Sequence, residues 1–485
     1  MCFFEQRKQR RDQPFLIEDQ GRTVSYGQLD EFCSQFSQAV KERKLAFLLC
    51  ENTAGSVMGY IACLRQRVVP LLLDAKMDEE LLRNLFAAYD PDYLYVPDRE
   101  ERGDLQEGSR TVLRRYGYRL FERSPQKETR LNPELALLLT TSGSTGSPKL
   151  VRQSYANISA NALSIKTYLD LDEKERPVTT LPMNYTYGLS VINSHMEAGA
   201  SILLTSRTLF EKEFWDFFRR EKGTSISGVP FTYEMLLKLG FMEMDLPFLK
   251  TMTQAGGKLS ADLQRRFAAY AEKTGRKFIV MYGQTEATAR MSYLPFEYAG
   301  EKIGSIGTAI PGGTFFLMEE AGGRAKEISE PEKEGELFYK GPNVTLGYAQ
   351  EKKDLEYGDE RNGCLATGDI AKRDRDGFYY ITGRKKRFLK ILGNRVNLDE
   401  AEQILKAYFP ETEIACSGQD DRMDVYIAGE KSESGRQTAA FLSKKFHLNS
   451  SVFHIHYISE MPKNSSGKIL YQELKKVYAG KEDPC

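Results

Sequence analysis

Short apolar runs alternate with helix-period segments from about Thr23 to Gly283, and this alternation restricts the fold more than any other feature of the chain. "LAFLLC" (Leu45–Cys50), "RVVPLLLD" (Arg67–Asp74), "PDYLYVPD" (Pro91–Asp98), "ASILLTS" (Ala200–Ser206) and "RKFIVMYG" (Arg276–Gly283) have the length and apolarity of strands buried on both faces. Between them, "SYGQLDEFCSQFSQAV" (Ser25–Val40) opens on a capping serine and places Leu29, Phe32, Cys33, Phe36 and Val40 near one helical face. "LFEKEFWDFFRREK" (Leu209–Lys222) reads as a second helix. Strands alternating with helices predict an α/β architecture with a largely parallel sheet.

After about Pro311 the texture changes to turn residues and short aromatic strands, as in "GGTFFLMEEAGG" and "DGFYYITGR". This predicts a small β-barrel-like part. From Gly383 a basic cluster leads into helix Leu398–Phe409, strand Asp424–Glu430, helix Arg436–Phe446 and strand Val452–Ser459, which reads as a small, independent α+β domain. The expected division is therefore 1–383 and 384–485, with the boundary at Gly383–Lys386.

Lys plus Arg and Asp plus Glu both number 68, so no net field draws the chain to nucleic acid or an anionic membrane. No run approaches the roughly 20 apolar residues needed to cross a bilayer, and the basic N-terminal stretch is not followed by the apolar core of a secretory signal. The seven cysteines are scattered, with no C-x-x-C pair and no histidine at ligand spacing, so neither a disulfide framework nor a zinc site is expected. The expectation is a cytoplasmic protein with reduced thiols.

The stretch "LLLTTSGSTGSPKLV" (Leu137–Val151) leaves a buried strand and enters a run of hydroxyls and glycines that closes on Pro148 and Lys149. Glycine lets successive N–H groups turn inward and the backbone approach an anion closely, and the hydroxyls and Lys149 add donors and charge. Gly146 and Lys149 are too far apart for a Walker motif. Taken alone, the stretch is equally a flexible Gly/Ser connection. Further stretches bear on it: "VMYGQTEATARMS" (Val280–Ser292), "GSIGTAIPG" (Gly304–Gly312), "GELFYKGPNVTLGY" (Gly335–Tyr348), "CLATGDIAKRD" with Asp369, "ITGRKKRFLK" with Arg384, and "MPKNSSGKILYQEL" (Met461–Leu474) with Lys468. Each has a bland reading, as a cap, a turn or a solvated surface. They occur together, in one order.

In that order and spacing, nearly the whole chain resembles the adenylate-forming superfamily of acyl-CoA synthetases, peptide-synthetase adenylation domains and luciferases. "TTSGSTGSPK" resembles its pyrophosphate loop, "YGQTE" its Tyr-Gly-x-Thr-Glu signature, "ATGD" and "GRKKRFLKILGNRV" its ribose and hinge motifs, and "PKNSSGK" its catalytic-lysine motif. The resemblance implies that Thr141, Ser142, Gly143, Ser144, Thr145, Gly146 and Lys149 hold the phosphates of ATP. It places Tyr282 and Gly283 against adenine, Thr285 at the α-phosphate and Glu286 on Mg²⁺. "QAGGKLS" (Gln254–Ser260), with Gly256 and Gly257, lines the adenine and carboxylate side. Asp369 takes the ribose hydroxyls with help from Arg384, Lys386 is the hinge, and Lys468 bridges carboxylate and α-phosphate.

The implied reaction is ATP-dependent acid–thiol ligation: an acyl-adenylate forms with release of pyrophosphate, and a thiol then takes the acyl group. The acceptor is CoA or, as the alternative, the phosphopantetheine of a separate carrier protein. An alternative of another class is a non-catalytic nucleotide sensor, which would have no need of Lys468. The chemistry suits these residue types. Carboxylate attack on a phosphate brings two anions together, so cationic groups must offset the repulsion, and a hard Mg²⁺ prefers the oxygens of Glu286 and phosphate. All four histidines lie outside the motifs.

Two places stand apart. The hinge reads Lys386-Arg387 where many relatives carry an acidic residue after the hinge position, so the excess charge is either a contact for a CoA or carrier phosphate or a solvated surface. The acyl pocket is expected along "LPMNYTYGLSVINSHMEAG" (Leu181–Gly199), including Tyr185, Tyr187 and Gly188. "MNYTYGLS" contains no Asp or Glu to pair with an ammonium, which argues against an α-amino acid. Arg290 is a candidate partner for a second substrate carboxylate, with an internal ion pair as the alternative.

Overall fold

The structure, a computed structural model, describes residues 3–5, 10–99, 108–124, 130–140, 149–321, 324–391, 394–409, 412–429, 434–446, 448–463, 469–471 and 473–474. Its residues gather into two compact units, one of 1–315 and 339–365, the other of 316–338 and 366–485.

The apolar runs of the first unit become the parallel centre of an eight-stranded sheet. Leu135–Thr140, Val69–Asp74, Leu45–Cys50 and Tyr93–Pro97 lie side by side and parallel. The sheet is parallel only in this middle. Leu150–Ser154 and Gly347–Ala349 extend one side antiparallel, and Tyr118–Glu122 and Arg110–Arg115 the other. The outer pair was not legible in the sequence, because its Arg-rich member, RTVLRR, is half-exposed and lacks an apolar run. Ser25 accepts from the Gln28 backbone while Gln28 returns the bond, and this box starts helix Tyr26–Ala39 where the sequence places it.

A second sheet of the same unit sets Ser225–Gly228, Thr251–Gln254 and Lys277–Tyr282 in parallel, then adds Ser292–Tyr293 and Thr308–Ala309 antiparallel. Parallel strands send their carboxyl ends to one edge, where the loops of open α/β sheets build binding sites. The segments after Gln254 and after Tyr282 leave from that edge.

The second unit holds strands of a five-stranded sheet, including the pair Cys364–Arg373 and Tyr379–Arg384, a hairpin of Phe388–Ile391 with Asn394–Asn397, and a three-stranded sheet. In the latter, Ile414–Gln419 runs antiparallel to Arg422–Ala428, which runs parallel to Phe453–Ile458. Helices Leu398–Tyr408 and Ser434–Phe446 complete it.

Arg387, read from the sequence as either a phosphate contact or a solvated charge, is neither. Its guanidinium is buried between Asp399 and Glu402, 2.6 Å from Glu402 Oε1, and lies 4.0 Å over the Tyr471 ring. Glu402 is further engaged by the Cys416 N–H at 2.6 Å and the Tyr471 hydroxyl at 3.0 Å. Burial pushes the Glu402 carboxyl up, and Arg387 is the cation that opposes this. The network ties the segment after the hinge to the segment that follows Lys468. Removing one partner of a buried pair leaves the other unpaired at a cost of about 3–5 kcal/mol. Arg387→Leu is therefore expected to destabilise the second unit by that order, read as a lower urea midpoint and faster amide exchange in strand Ile414–Gln419.

Candidate active site

Strand Lys277–Tyr282 ends on "YGQTE", and the chain then folds into one turn of 3-10 helix, Thr285–Ala287. Gly283 is required by contact. A Cβ there would sit 1.7 Å from the Ala289 carbonyl oxygen, which is backbone and cannot swing away. The turn ends at Thr288 with φ +65° and ψ −62°, and the Ala289 N–H bonds the Ala287 carbonyl at 2.7 Å. This is a γ-turn of the strained hand, rare for a β-branched residue.

Asn343 holds that turn. Its amide donates to the carbonyls of Ala287 at 2.9 Å and Arg290 at 3.1 Å, its own carbonyl accepts from Thr288 Oγ1 at 2.7 Å, and Tyr339 fixes its Oδ1 at 2.8 Å. Thr186 donates to the Thr288 carbonyl. The Glu286 carbonyl receives the Thr345 N–H at 3.0 Å, Thr345 Oγ1 at 2.9 Å and Arg361 Nη1 at 2.9 Å. Within "GPNVTLGY", Asn343, Thr345 and Tyr348 grip the signature loop. Nothing in their residue types or spacing announces this, because the partners are backbone atoms far away in sequence.

The Glu286 carboxylate accepts the Tyr348 hydroxyl at 2.7 Å. Burial, and then the Glu286 charge, push the Tyr348 phenol up to about 12, so it remains a donor at neutral pH. Lys149 stands 3.5 Å over one ring and Arg361 4.6 Å from the same Tyr348 centroid. Neither cation forms an ion pair with the Glu286 carboxylate among the described residues. A half-buried carboxylate held by a neutral hydroxyl keeps lone pairs for a hard cation. No cluster of three acidic, His or Cys side chains suited to a metal occurs among the described residues. Together these fit Mg²⁺, which is held by one or two carboxylates plus phosphates and water rather than by a protein cage.

Tyr282, half-buried, receives Gln284 Nε2 at 3.2 Å. Gly256 adopts φ +82°, and a Cβ on it would come 2.6 Å from the Tyr185 hydroxyl; Gly257 follows beside Pro230. Tyr185 caps helix Thr186–Ala198, whose Tyr187 hydroxyl bonds both the Thr253 carbonyl and Oγ1 at 2.9 Å. Gly188 packs on the Pro182 carbonyl. His195 of that helix is buried and pushed down to about 4 by desolvation, so it stays neutral. Arg290 is buried against Tyr187, Tyr168 and Ser190. The first unit thus brings together Lys149, Thr285 and Glu286, and separately Tyr185, Tyr187, Gly256 and Arg290.

In the second unit Asp369 and Arg384 are cross-strand partners, with Arg384 Nε 3.1 Å from Asp369 Oδ1 and Asp369 almost wholly buried. The backbone at Lys385–Arg387 makes one 3-10 turn at the expected hinge. Thr141, Ser142, Gly143, Ser144, Thr145, Gly146 and Lys468 lie outside the described residues. The flanks of the glycine loop are described: Thr140 and Leu150 are antiparallel neighbours, so the loop joins two strands, unlike the strand-to-helix loop of a Walker motif.

The AMP-binding enzyme family matches residues 3–349. The chain belongs to this family. Relatives of AMP-binding type include the 2-succinylbenzoate–CoA ligase of Bacillus subtilis, 25% identical over 96% of this chain and 95% of its own. The oxalate–CoA ligase of Arabidopsis thaliana is 30% identical over 56% of this chain and 52% of its own. Among solved structures, the o-succinylbenzoate CoA synthetase of Bacillus subtilis in complex with its acyl-adenylate intermediate superimposes with a TM-score of 0.77 at 22% identity, covering 97% of this chain and 96% of that one. ATP-bound MatB from Rhodopseudomonas palustris gives 0.75 at 21%, with 99% of both chains covered. The α/β fold with a small C-terminal α+β part is therefore that of AMP-binding enzymes.

The geometry predicts that Gly283→Ala, small as it is, displaces the Ala289 carbonyl and with it Glu286. Overpacking of this kind costs about 1–3 kcal/mol. The expected result is a lower melting temperature together with weakened ATP-dependent protection, measured by thermal shift with and without Mg-ATP; an unchanged pair of curves would contradict it.

Proposed function

We propose that this AMP-binding enzyme is an ATP-dependent carboxylate–CoA ligase that forms an acyl-adenylate, releases pyrophosphate and passes the acyl group to CoA. The observation that carries the reading is the Glu286 carboxylate, held by Tyr348 on an over-determined loop and left unneutralised by any described cation. Similarity along the full length to a CoA ligase supports the thiol acceptor.

Glu286 holds Mg²⁺, which when bound supplies positive charge to the phosphates. Lys149 and the hydroxyl-rich loop Thr141–Gly146 take the outgoing pyrophosphate. Thr285 donates to the α-phosphate, Tyr282 and Gly283 line adenine, Gly256 and Gly257 border the reacting carboxylate, and Asp369 with Arg384 takes the ribose. Lys468 offsets the repulsion between carboxylate and α-phosphate as the new bond forms. The chain turns at 384–386, with Lys386 as hinge, so that residues 384–485 serve one half-reaction in each orientation.

A hydroxylamine-trapped assay of pyrophosphate release, run over short, medium, aryl and dicarboxylic acids with CoA then added to the best, tests the activity. Acid-dependent release followed by thioester is expected. Release with no thioester unless a phosphopantetheinylated carrier is supplied would replace CoA as acceptor, and no release with any acid would leave a nucleotide sensor. Lys468→Ala is expected to cut adenylation by about 100-fold or more while sparing thiol transfer from supplied acyl-adenylate; equal loss of both would remove Lys468 from its role. Lys386→Pro is expected to slow thioester formation more than adenylation, in single-turnover measurements of each step.

A further inference from the structure

Arg290 is a buried cation that no carboxylate meets among the described residues. It is 2% exposed. Its Nε donates to Ser190 Oγ at 3.2 Å and its Nη1 to the Tyr168 hydroxyl at 3.1 Å, while Met281 Sδ lies 3.3 Å away and the Tyr187 ring 5.1 Å. All four are neutral. Among the described residues Nη2 has no hydrogen-bond partner and no carboxylate lies in ion-pair range, so the internal ion pair considered from the sequence is absent there. Arg65, Arg152 and Arg387, by contrast, each meet a carboxylate. A guanidinium cannot shed its proton to escape burial. It is tolerated where an anion arrives to pair with it.

The surroundings define what could arrive. Tyr187 presents one ring face to Arg290 and its hydroxyl to Thr253, one residue before the Gln254–Gly257 segment assigned to the reacting carboxylate. Tyr185 stands against Gly256, and Tyr168 stacks on Tyr293 at 4.3 Å. Aromatic side chains with one cation among them suit an acid with an apolar body and an anion at its far end. Resting on the ligase reading, we propose that Arg290 receives a second substrate carboxylate, so that the enzyme activates dicarboxylic acids: one carboxylate attacks ATP and the other pairs with the guanidinium. The open Nη2 edge and Nη1 offer the two parallel donors that a carboxylate accepts.

The test compares matched pairs, each a monocarboxylic acid and the dicarboxylic acid of the same aliphatic or aryl skeleton, by kcat/KM for pyrophosphate release. Wild type is expected to favour the diacid of at least one pair, and the monomethyl ester of that diacid is expected to lose roughly 10- to 100-fold, the worth of a charged hydrogen-bonded contact. In Arg290→Gln the diacid-to-monoacid ratio falls by the same factor, and Arg290→Lys restores part of it. A monoacid preference in every pair, or an ester as good as its diacid, overturns the inference and leaves the ligase reading standing. No release with any acid overturns both. Should Arg290→Gln melt far below wild type, the matched pairs and the ester still decide on the unaltered protein.

Discussion

A threonine at φ +65° and ψ −62° does not stay there unaided, and the way Thr288 is kept there organises the first unit. Strained backbone of this kind costs about 1–3 kcal/mol and persists only where its surroundings over-determine it. Asn343 binds the turn on both sides of Thr288, and Thr345 with Arg361 binds the carbonyl of Glu286 two residues earlier. The carboxylate of Glu286 is thereby presented from a loop that cannot relax. The same turn sends Arg290 back into the tyrosine-lined interior. One short segment thus carries both the carboxylate proposed to hold Mg²⁺ and the guanidinium proposed to receive a distal substrate group.

The catalytic problem is electrostatic, and the charges are distributed accordingly. In the proposed reaction anionic phosphates and a carboxylate must approach each other, and the cations assigned to it lie on separate stretches of the sequence: Lys149 after the glycine run, Arg384 paired with Asp369, and Lys468 near the C-terminus. Lys149 stands over the Tyr348 ring rather than on Glu286, so among the described residues no ammonium pairs with the carboxylate proposed to hold Mg²⁺. A ring face attracts a cation more weakly than a carboxylate would, which leaves Lys149 available to phosphate.

Much of this was legible in the order of residues. The parallel strands Leu45–Cys50, Val69–Asp74 and Lys277–Tyr282 follow from apolar runs that only a doubly covered sheet can bury. Outer strands such as Arg110–Arg115 were hidden because a half-exposed edge carries no such pattern. Arg387 was misread for a related reason. Local composition left "RKKR" as either a phosphate contact or a solvated surface, while Glu402, Asp399 and Tyr471, the groups that bury Arg387, lie elsewhere in the chain.

By itself the sequence determined the family, the α/β alternation and the identity of the charged groups, since these depend on residue type, period and spacing along the chain. The glycine and hydroxyl run from Thr141 to Lys149, ambiguous alone, takes its reading as a phosphate loop only from the company of distant motifs. Only the tertiary structure decided which groups are held and which are left open. Gly283 is irreplaceable because of a carbonyl six residues on, Glu286 is clamped by residues some sixty positions away, and the described side chains that contact the Arg290 guanidinium are neutral. Such facts are relations between atoms that meet only when the chain is folded, and no local pattern of residues encodes them.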